Sequence, residues 1–420
     1  MKLKKGLKLI NTADDCINVT ETPSTLEQAR KKPTYFTRTR KMNFQKAVYF
    51  LLNMLNESTQ VALNRFFKNI GEEETHMSQQ AFSKTRSHFD HSPFEKMFRR
   101  IVQRQYNGEY EINQWNEWKV LAIDGTAIAL PNTKELRDIF GVSGIKADSA
   151  TARGSILYDV LNDRIMDAAI GKYSRSEREF AKDHIAQLAN ICEPEHTIII
   201  FDRGYPSLDL IHCLNQAGLY FLMRARKKWN LAVDSANQPD SLVKLDEETI
   251  VRVVKFHLSS GDQETLITNL FDLSAEAFPT LYFYRWPVEA KFDVVKNKLE
   301  LENFSGRTEN AVLQDFWTCM LLANIAAVAK DEANELVREQ HSGKNNKYVY
   351  IPNLNQLIGS LKDTYIDACF LRSKRQRIKR IKAVIAQIAR AVIPIRPGRS
   401  IPRPLSPRKS KFHHNHKSNC

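Results

Sequence analysis

Four polar side chains between residues 281 and 299 recur at helical spacing. The last three lie three, seven and fourteen positions after the first, and the set is Tyr282, Arg285, Glu289 and Lys296. In one continuous helix they would fall within roughly a 60° arc, because residues at i+3, i+4 and i+7 share a face. A carboxylate set between two cations and a phenol suits a metal ligand that acts on a phosphodiester. The alternative is an amphipathic surface helix with ordinary ion pairs between neighbouring turns.

An apolar stripe adjoins this polar face and is expected to anchor the helix to a core. Its members are Val288, Phe292, Val295 and Leu299. Pro287 lies inside the same segment, and proline starts, kinks or breaks a helix. If the helix begins at this proline, only Glu289 and Lys296 keep the shared face.

Two aspartates upstream each follow an apolar, β-branched run. Residues 118–123 predict a short strand that stops at Asp124 and the glycine after it. Residues 197–201 predict a buried strand that ends at Asp202. Open α/β sheets bind their ligands at the carboxyl ends of strands. Turns that contain an aspartate followed closely by a glycine are common, so a purely structural role is the alternative for each aspartate.

Asp124, Asp202 and Glu289 together form an ordered set of three carboxylates on two strands and a later helix. Carboxylate oxygens are preferred ligands of Mg²⁺ and Mn²⁺. Two such ions, about 3.5–4 Å apart, stabilise both the attacking and the leaving oxygen of an in-line phosphoryl displacement. The pattern therefore predicts metal-dependent chemistry on a phosphodiester.

These motifs resemble those of a known family, the DDE transposases of bacterial insertion sequences, specifically the insertion-sequence-four family. Its signature Tyr-x2-Arg-x3-Glu-x6-Lys matches the four spaced residues without a gap. Its two aspartate motifs are similar to residues 124–126 and 202–205, and its later motifs to residues 302–306 and 314–316. The resemblance covers about residues 118–330.

The resemblance implies a ribonuclease H-like α/β catalytic core over residues 116–335. In such a core, Asp124 and Asp202 would share one Mg²⁺ or Mn²⁺ ion, and Glu289 with Asp124 would hold a second. Tyr282, Arg285 and Lys296 would contact the DNA end. The implied partners are double-stranded DNA, as terminal inverted repeats and as target, and a second copy of the chain in a homodimer on two DNA ends.

A β-rich insertion is expected at about residues 225–278, as in the family. The runs 249–258 and 264–270 predict a hairpin joined by residues 259–263. Residues 224–229, at its entry, combine four cations with Trp229, a mixture that can grip a phosphate backbone and stack an unpaired base. Related enzymes flip a base, and Trp229 and Trp286 are candidate stacking partners, with core packing as the alternative for each. Arg203, beside the second acid, is a further candidate for DNA contact.

Flanking segments are expected to bind DNA or to extend the core. Residues 1–40 predict a polar, irregular arm, and residues 41–115 a helical DNA-binding domain. Within it, residues 78–86 suit the second helix of a helix-turn-helix, with polar side chains for bases and phosphates, or else a plain helical bundle. These side chains are Gln79, Gln80, Lys84 and Arg86. Residues 336–390 are expected to be helical and residues 391–420 a basic, Pro-rich tail.

Ser174 and Glu177 have the spacing of a capping box, so a capping role is the first interpretation of Glu177.

Charge and cysteine usage agree with a DNA partner inside a cell. The 420 residues carry a net charge of +14. Residues 371–420 hold fifteen Lys or Arg and no Asp or Glu, which favours a polyanionic partner, although a solubilising tail is the alternative. Six cysteines without regular spacing are typical of a reducing cytoplasm.

The 14-residue apolar run 316–329 is too short to span a bilayer and predicts a buried helix. No membrane role is expected, and the site of action is expected to be the bacterial nucleoid.

A cut-and-paste DNA transposase is the function that these features predict together. A metal-dependent nuclease that cuts without rejoining is one alternative, because it would use the same carboxylates. A non-catalytic DNA-binding repressor derived from a transposase is the other.

Overall fold

The computed structural model describes residues 8–38, 40–53, 58–144, 148–258 and 261–396. Its contacts divide the chain into two compact units, each assembled from separate stretches. The first unit draws on residues 1–101, 129–139 and 295–420, and the second on residues 102–128 and 140–294. Asp124, Asp202 and Glu289 therefore all belong to the second unit.

Helices occur in both units. In chain order they are α1 (Lys8–Glu21), α2 (Pro23–Ala29), α3 (Phe44–Asn53), α4 (Thr59–Asn69), α5 (Gln79–Arg86), α6 (Ser92–Tyr106), α7 (Lys134–Phe140), α8 (Glu177–Leu188), α9 (Leu208–Gln216), α10 (Leu231–Ser235), α11 (Ala277–Phe283), α12 (Trp286–Asp293), α13 (Glu309–His341), α14 (Leu354–Phe370) and α15 (Lys374–Ile388). One π-helical turn, Val294–Lys298, follows α12 directly.

Strands form one large sheet and one small ribbon among the described residues. They are β1 (Lys119–Ala129), β2 (Val142–Ser143), β3 (Ser149–Asp159), β4 (Arg164–Lys172), β5 (Thr197–Phe201), β6 (Tyr220–Arg224), β7 (Asp240–Lys244), β8 (Ile250–His257), β9 (Gln263–Thr268), β10 (Tyr350–Pro352) and β11 (Val392–Pro394). The large sheet has nine strands in the order β2-β3-β1-β5-β6-β9-β8-β7, with β4 paired to β3, and β10 pairs with β11.

The large sheet is mixed, which makes the second unit an α/β structure. Strands β1, β5 and β6 are parallel at its centre, and α8 and α9 connect them. Both flanks of the sheet are antiparallel. All five residues of β5 are buried, as expected for a central strand covered on both faces.

β1 does not stop at Asp124, and the prediction of a strand end there is wrong. The strand continues from Lys119 to Ala129. β5 pairs with it only over residues 119–122, but β3 lies along its other edge. Because β3 remains as a partner after β5 ends, Asp124 and Gly125 stay extended and form no turn.

The segment with the polar signature is two helices, so the alternative in which a helix begins at Pro287 is confirmed and the continuous helix is wrong. α11 ends at Phe283, and α12 begins at Trp286 with Pro287 in its first turn. Proline is tolerated there because the first helical N–H groups have no partner within the helix. The predicted apolar stripe is buried at all four positions, Val288, Phe292, Val295 and Leu299.

The predicted hairpin of the β-rich segment is present. β8 and β9 pair antiparallel from Arg252 opposite Thr268 to His257 opposite Gln263. Residues 259 and 260 of its turn lie outside the described residues. β9 also pairs with β6, so these strands continue the large sheet.

The prediction of an irregular arm is wrong for residues 8–29, which form α1 and α2. α1 buries apolar residues at helical spacing, among them Leu9, Ala13 and Cys16, and neighbouring polar residues obscured that pattern. Glu332 accepts a hydrogen bond of 2.9 Å from the Leu9 N–H, which gives this helix start a partner within the first unit. The basic tail lies outside the described residues from residue 397 onward.

α13 contains the apolar run 316–329, and the prediction of a buried helix is confirmed. By length and composition it is the one helix of the described residues that could cross a membrane, and 83% of its most apolar window is buried inside the protein. Packing within the first unit therefore accounts for its apolar character.

Candidate active site

Asp124 lies in β1, and Asp202 directly follows β5, the parallel neighbour of β1. The register of β1 and β5 runs up to Ala122 opposite Ile200. Each aspartate lies two residues beyond this last pair, so the two acids come close together where the paired region ends, and the charge of Asp202 acts on Asp124. The sheet thus brings together two acids that are 78 positions apart in the sequence.

Asp124 is a largely buried acid whose ionisation is opposed by its surroundings. Its side chain is 18% exposed. Burial raises the pKa of its carboxyl group to about 7, and the charges of Asp202 and Glu177 also raise it. The Gly125 N–H, which donates to Asp124 Oδ1 at 2.9 Å, and the Arg285 guanidinium lower this pKa. Additional positive charge at this point would therefore stabilise the ionised site.

Arg285 lies between Asp124 and Glu289. Its Nη2 donates to Glu289 Oε1 at 2.6 Å, and its Nη1 is 4.0 Å from Asp124 Oδ2. Tyr282 belongs to the same group: burial raises the pKa of its phenol to about 12, while the positive charge of Arg285 lowers it. Three of the four signature residues therefore gather beside the two aspartates, although they come from α11, α12 and the turn between them.

Glu177 is a fourth acid at this site, and its interpretation as a capping-box residue is wrong. The capping box of α8 lies two residues later, between Ser176 and Glu179. Glu177 is the first residue of α8, and its Oε1 accepts a hydrogen bond of 2.8 Å from Arg153. A methyl group built onto Gly125 would lie 2.9 Å from Glu177 Cγ, so the Glu177 side chain passes directly over that glycine.

A buried hydrogen-bond chain supports the backbone of Asp124 and was not predicted. Ser155 Oγ donates to the Asp124 carbonyl oxygen at 3.3 Å. His184 Nε2 is 3.0 Å from Ser155 Oγ, and His184 Nδ1 is 2.7 Å from Asp167 Oδ2. These three supporting side chains are buried, so their role is to position the strand and not to meet a substrate. The sequence gives no signal for this chain, because a serine in a strand and a histidine in a later helix show no relation to each other until the strand and the helix pack together.

An open groove in the second unit collects positive charge. Its volume is about 700 Å³, and its lining includes Arg203, Arg224, Arg226, Lys227, Lys228 and Lys255. Arg224 is paired with Glu264, whereas Arg203, Arg226, Lys227 and Lys228 are exposed. The predicted DNA contact Arg203 and the predicted basic entry of the β-rich segment thus line one surface.

The two candidate tryptophans differ in exposure. Trp286 is 43% exposed, so the core interpretation is wrong for this residue, and the Arg285 guanidinium lies 5.4 Å from its ring centre. Trp229 is half-buried, and its backbone N–H donates to the Arg226 carbonyl oxygen at 3.2 Å. A stacking role remains a prediction for both.

Lys296, the fourth signature residue, lies in the π-helical turn and belongs to the first unit. Its Nζ is 3.1 Å from Glu302 Oε1. Glu302 Oε1 also accepts a hydrogen bond of 3.1 Å from the Ala129 N–H. The contact of Lys296 with DNA remains a prediction.

Arg86 is not available for DNA, which corrects the prediction for α5. Its guanidinium is buried and donates to Gln314 at 2.7 Å, Ser305 at 2.6 Å, the Ala311 carbonyl at 2.9 Å and Asp315 at 2.8 Å. The other three predicted side chains of this helix, Gln79, Gln80 and Lys84, are exposed. Binding of DNA by this exposed face remains a prediction.

The donor chemistry of the site fits a hard divalent cation. Among the described residues, no three His, Cys, Asp or Glu side chains are close enough to form a ready-made metal group. Glu289 is held by Arg285, whose positive charge stands between two of the predicted ligands. The acids nevertheless offer only oxygen donors, and their mutual repulsion is what an Mg²⁺ or Mn²⁺ ion would relieve.

Several known proteins are similar to this chain. The transposase InsZ of Escherichia coli K12 is 26% identical over 146 residues, covering 34% of this chain and 47% of InsZ. Transposase InsG for insertion sequence element IS4, also from E. coli K12, is 25% identical over 238 residues, covering 50% of this chain and 52% of InsG. The chain thus spans about half the length of these two relatives.

A solved structure shares the fold of this chain, and a family model matches its sequence. The cryo-EM structure of a piggyBac transposase synaptic complex with hairpin DNA matches with a TM-score of 0.52 at 11% identity, over 92% of this chain and 87% of that one. At this identity the match shows a shared fold alone. The transposase DDE domain family matches residues 115–325, about half of the chain and the part that contains Asp124, Asp202 and Glu289. The chain therefore belongs to the family of transposases with a DDE domain.

Proposed function

We propose that this protein is the DNA transposase of a bacterial insertion sequence and that it cleaves and rejoins DNA strands with a divalent metal. The observation that carries the proposal is the position of Asp124 and Asp202, each two residues beyond the last paired residues of the neighbouring strands β1 and β5, inside the segment matched by the family. We further propose that this sheet is a ribonuclease H-like core and that β7, β8 and β9 belong to an insertion in it.

Asp124 and Asp202 are the proposed ligands of one ion, and Asp124 with Glu289 of a second. When bound, such ions lower the energy of the charge that develops on phosphoryl oxygens. The residues of this protein hold the acids in place. β1 and β5 position the two aspartates, and the hydrogen bonds that link Asp167, His184 and Ser155 hold the backbone of Asp124. A buried, rigid support of this kind limits reorganisation during reaction.

Arg285 has two proposed partners. In the structure it neutralises Glu289 at 2.6 Å. A DNA phosphate offers the same planar guanidinium two acceptor oxygens and would draw it away from the glutamate. Glu289 would then be free to bind a cation, so arrival of the DNA end and assembly of the site become coupled. Tyr282 would contribute its hydroxyl group to the same phosphate.

The cationic groove is the proposed path of the DNA backbone outside the catalytic acids. Arg203 directly follows Asp202, so the groove begins at the active site. Each Lys or Arg that reaches a phosphate adds affinity that does not depend on sequence and weakens with salt. Trp229 and Trp286 are the proposed stacking surfaces for an unpaired base, and Lys296 a further phosphate contact.

The proposed DNA partners are the terminal inverted repeats of the element and a target duplex. Strand joining at both ends of an element requires two active sites, so we propose that a homodimer holds the two ends. The piggyBac neighbour was solved as a synaptic complex with hairpin DNA. We propose the same arrangement for this chain. We also propose that it acts at the bacterial nucleoid.

The test is cleavage of a labelled duplex that carries the element's own terminal repeat, with Mg²⁺. Wild-type protein is expected to cut at the repeat boundary. Asp124→Asn, Asp202→Asn and Glu289→Gln are each expected to lower the rate by at least about a thousandfold, because each removes a proposed ligand of the ions that stabilise the charge on the phosphoryl oxygens. Their binding to the same duplex without metal is expected to remain close to that of the wild type.

The binding measurement makes this test specific. Loss of duplex binding in all three variants, together with loss of cleavage, would contradict the ligand assignment and indicate a general role in folding or DNA contact. Asp138→Asn is the matched control, because this exposed aspartate of α7 lies outside the proposed site. We expect it to cut like the wild type.

A further inference from the structure

α15, in the first unit, carries an exposed row of cations to which the proposed function gives no role. The helix runs from Lys374 to Ile388 and contains no Asp or Glu. Three of its cations, Arg375, Lys379 and Lys382, are exposed. They fall within roughly a 60° arc, because residues four and seven positions apart share a helix face. We call these three residues the α15 stripe.

The other cations of α15 have acidic partners. Lys374 Nζ lies 2.9 Å from Asp14 Oδ2, and Arg377 Nη2 lies 3.2 Å from Asp14 Oδ1. Arg380 Nη2 lies 2.8 Å from Asp367 Oδ2. Among the described residues, no ion pair joins an acid to the α15 stripe. Its positive charge is therefore available to a ligand from outside the chain.

The α15 stripe opposes the stability of its own helix. Arg375 and Lys379 are four positions apart, and Lys379 and Lys382 are three apart, so like charges face each other on adjacent turns. Arg375 also lies in the first turn, where the helix dipole disfavours a cation. Proteins keep destabilising groups of this kind where binding requires them. The arrangement therefore favours an anionic partner.

The buried face of α15 excludes partners that bind by hydrophobic contact. Its apolar residues Ile381, Val384, Ile385 and Ile388 are all buried inside the protein. A free amphipathic basic helix places such a face into a membrane surface or into a groove of another protein, but α15 cannot. Only its charged face is accessible. Along the helix axis the stripe spans about 10 Å, over which one strand of duplex DNA carries about three phosphates.

A second duplex is the partner that this surface fits. The proposed function needs a target duplex in addition to the end of the element. The cationic groove proposed for the end belongs to the second unit, whereas α15 belongs to the first. Contacts to phosphates by charge alone accept any duplex sequence. We propose that the α15 stripe binds the phosphate backbone of the target duplex, an inference that rests on the proposed function.

The first test is binding of a labelled duplex of unrelated sequence to the full-length protein at several salt concentrations. The variant combines Arg375→Gln, Lys379→Gln and Lys382→Gln, which removes three charges and keeps good helix formers. We expect the slope of log affinity against log salt to decrease in magnitude by about 3. The thermal unfolding midpoint is expected to equal or exceed that of the wild type, because the like charges no longer repel each other.

The matched control removes the same charge from three exposed lysines dispersed elsewhere in the first unit, Lys31, Lys68 and Lys344. We expect its slope to stay close to that of the wild type. A stripe variant with the same slope as this control would show a solvated surface and would overturn the inference. Loss of affinity for duplex RNA without loss for duplex DNA would overturn it too, because the partner would then be RNA.

Strand joining separates failure of this inference from failure of the proposed function. With a pre-cut repeat end and a target plasmid, the stripe variant is expected to give at least about tenfold less joined product, while it cuts the terminal repeat like the wild type. Equal losses of cutting and joining would assign the stripe to the element's end and overturn the inference. If the wild type neither cuts nor joins, the proposed function is overturned and the target assignment with it, even where the stripe still binds duplex DNA.

Discussion

At the scale of single residues, burial decides how Asp124 behaves. The group is removed from water, faces two other acids and is only partly compensated by Arg285 and one N–H group. Enzymes often keep such destabilised groups where a ligand completes the site, and they lose stability as a result. The cost should therefore be measurable when no metal is present.

Asp124→Asn is expected to stabilise the metal-free protein, and more so at high pH. The pKa of Asp124 is raised from 3.8 to about 7 in the folded state, so the protonated acid is favoured there. Its contribution to the free energy of unfolding is fully present below the unfolded pKa and is lost as pH rises through about 7. The gain from the substitution should thus grow between pH 5 and pH 8, to at most about 4 kcal/mol.

Thermal unfolding in EDTA at the two pH values measures this gain. Asp138→Asn serves as the control for removal of an exposed carboxylate. A gain in Asp124→Asn that is the same at pH 5 and pH 8 would contradict the account of a strained acid.

At the scale of elements, local patterns predicted most helices and strands but not their interruptions. The strand before Asp202 and the helix around residues 316–329 were predictable, because apolar runs of those lengths have few alternatives. The break before α12 depends on Pro287. A proline can start, kink or break a helix, and the spacing of the neighbouring residues does not show which of the three occurs. Glu177 was assigned to the wrong partner because two serines precede α8, and only the backbone geometry selects Ser176 as the cap.

Arg86 shows how tertiary structure overrides a surface pattern. The spacing of α5 put this arginine among polar residues suited to DNA. In the first unit it instead joins α5 to the start of α13 through four hydrogen-bonded partners, one of them the carboxylate of Asp315. No property of the local sequence reveals a partner more than 200 positions away.

Arg86→Met is expected to lower the free energy of unfolding by about 3–5 kcal/mol, because it leaves Asp315 without its buried partner. Urea denaturation measures this loss. Lys84→Met, on the exposed side of the same helix, should change stability by no more than about 0.5 kcal/mol. An Arg86→Met protein as stable as the Lys84→Met control would show that the buried network contributes little.

At the scale of the whole molecule, two separate sets of features point to DNA. The second unit carries the acids, the signature arginine and the cationic groove. The first unit carries the exposed face of α5 and the basic residues of α15. The net charge predicted a polyanion, but it could not predict the groove, because Arg203 and residues 224–228 meet only through the sheet.

A transposase must join strands as well as cut them, and this separates it from both alternative functions. A nuclease with the same carboxylates would cut the duplex and release it. A repressor would bind the repeat and leave it intact. Joining therefore tests the central claim of a strand-transferring active site.

The most direct measurement supplies a pre-cut terminal repeat with a free 3′-hydroxyl group, a supercoiled target plasmid and Mg²⁺. Wild-type protein is predicted to produce plasmid joined covalently to the labelled end, and Asp202→Asn to produce none while still binding the end. Repeat-boundary cutting of an intact duplex by the wild type, without any joined product from the pre-cut end, would contradict the transposase account and favour the nuclease. Binding with neither reaction would favour the repressor.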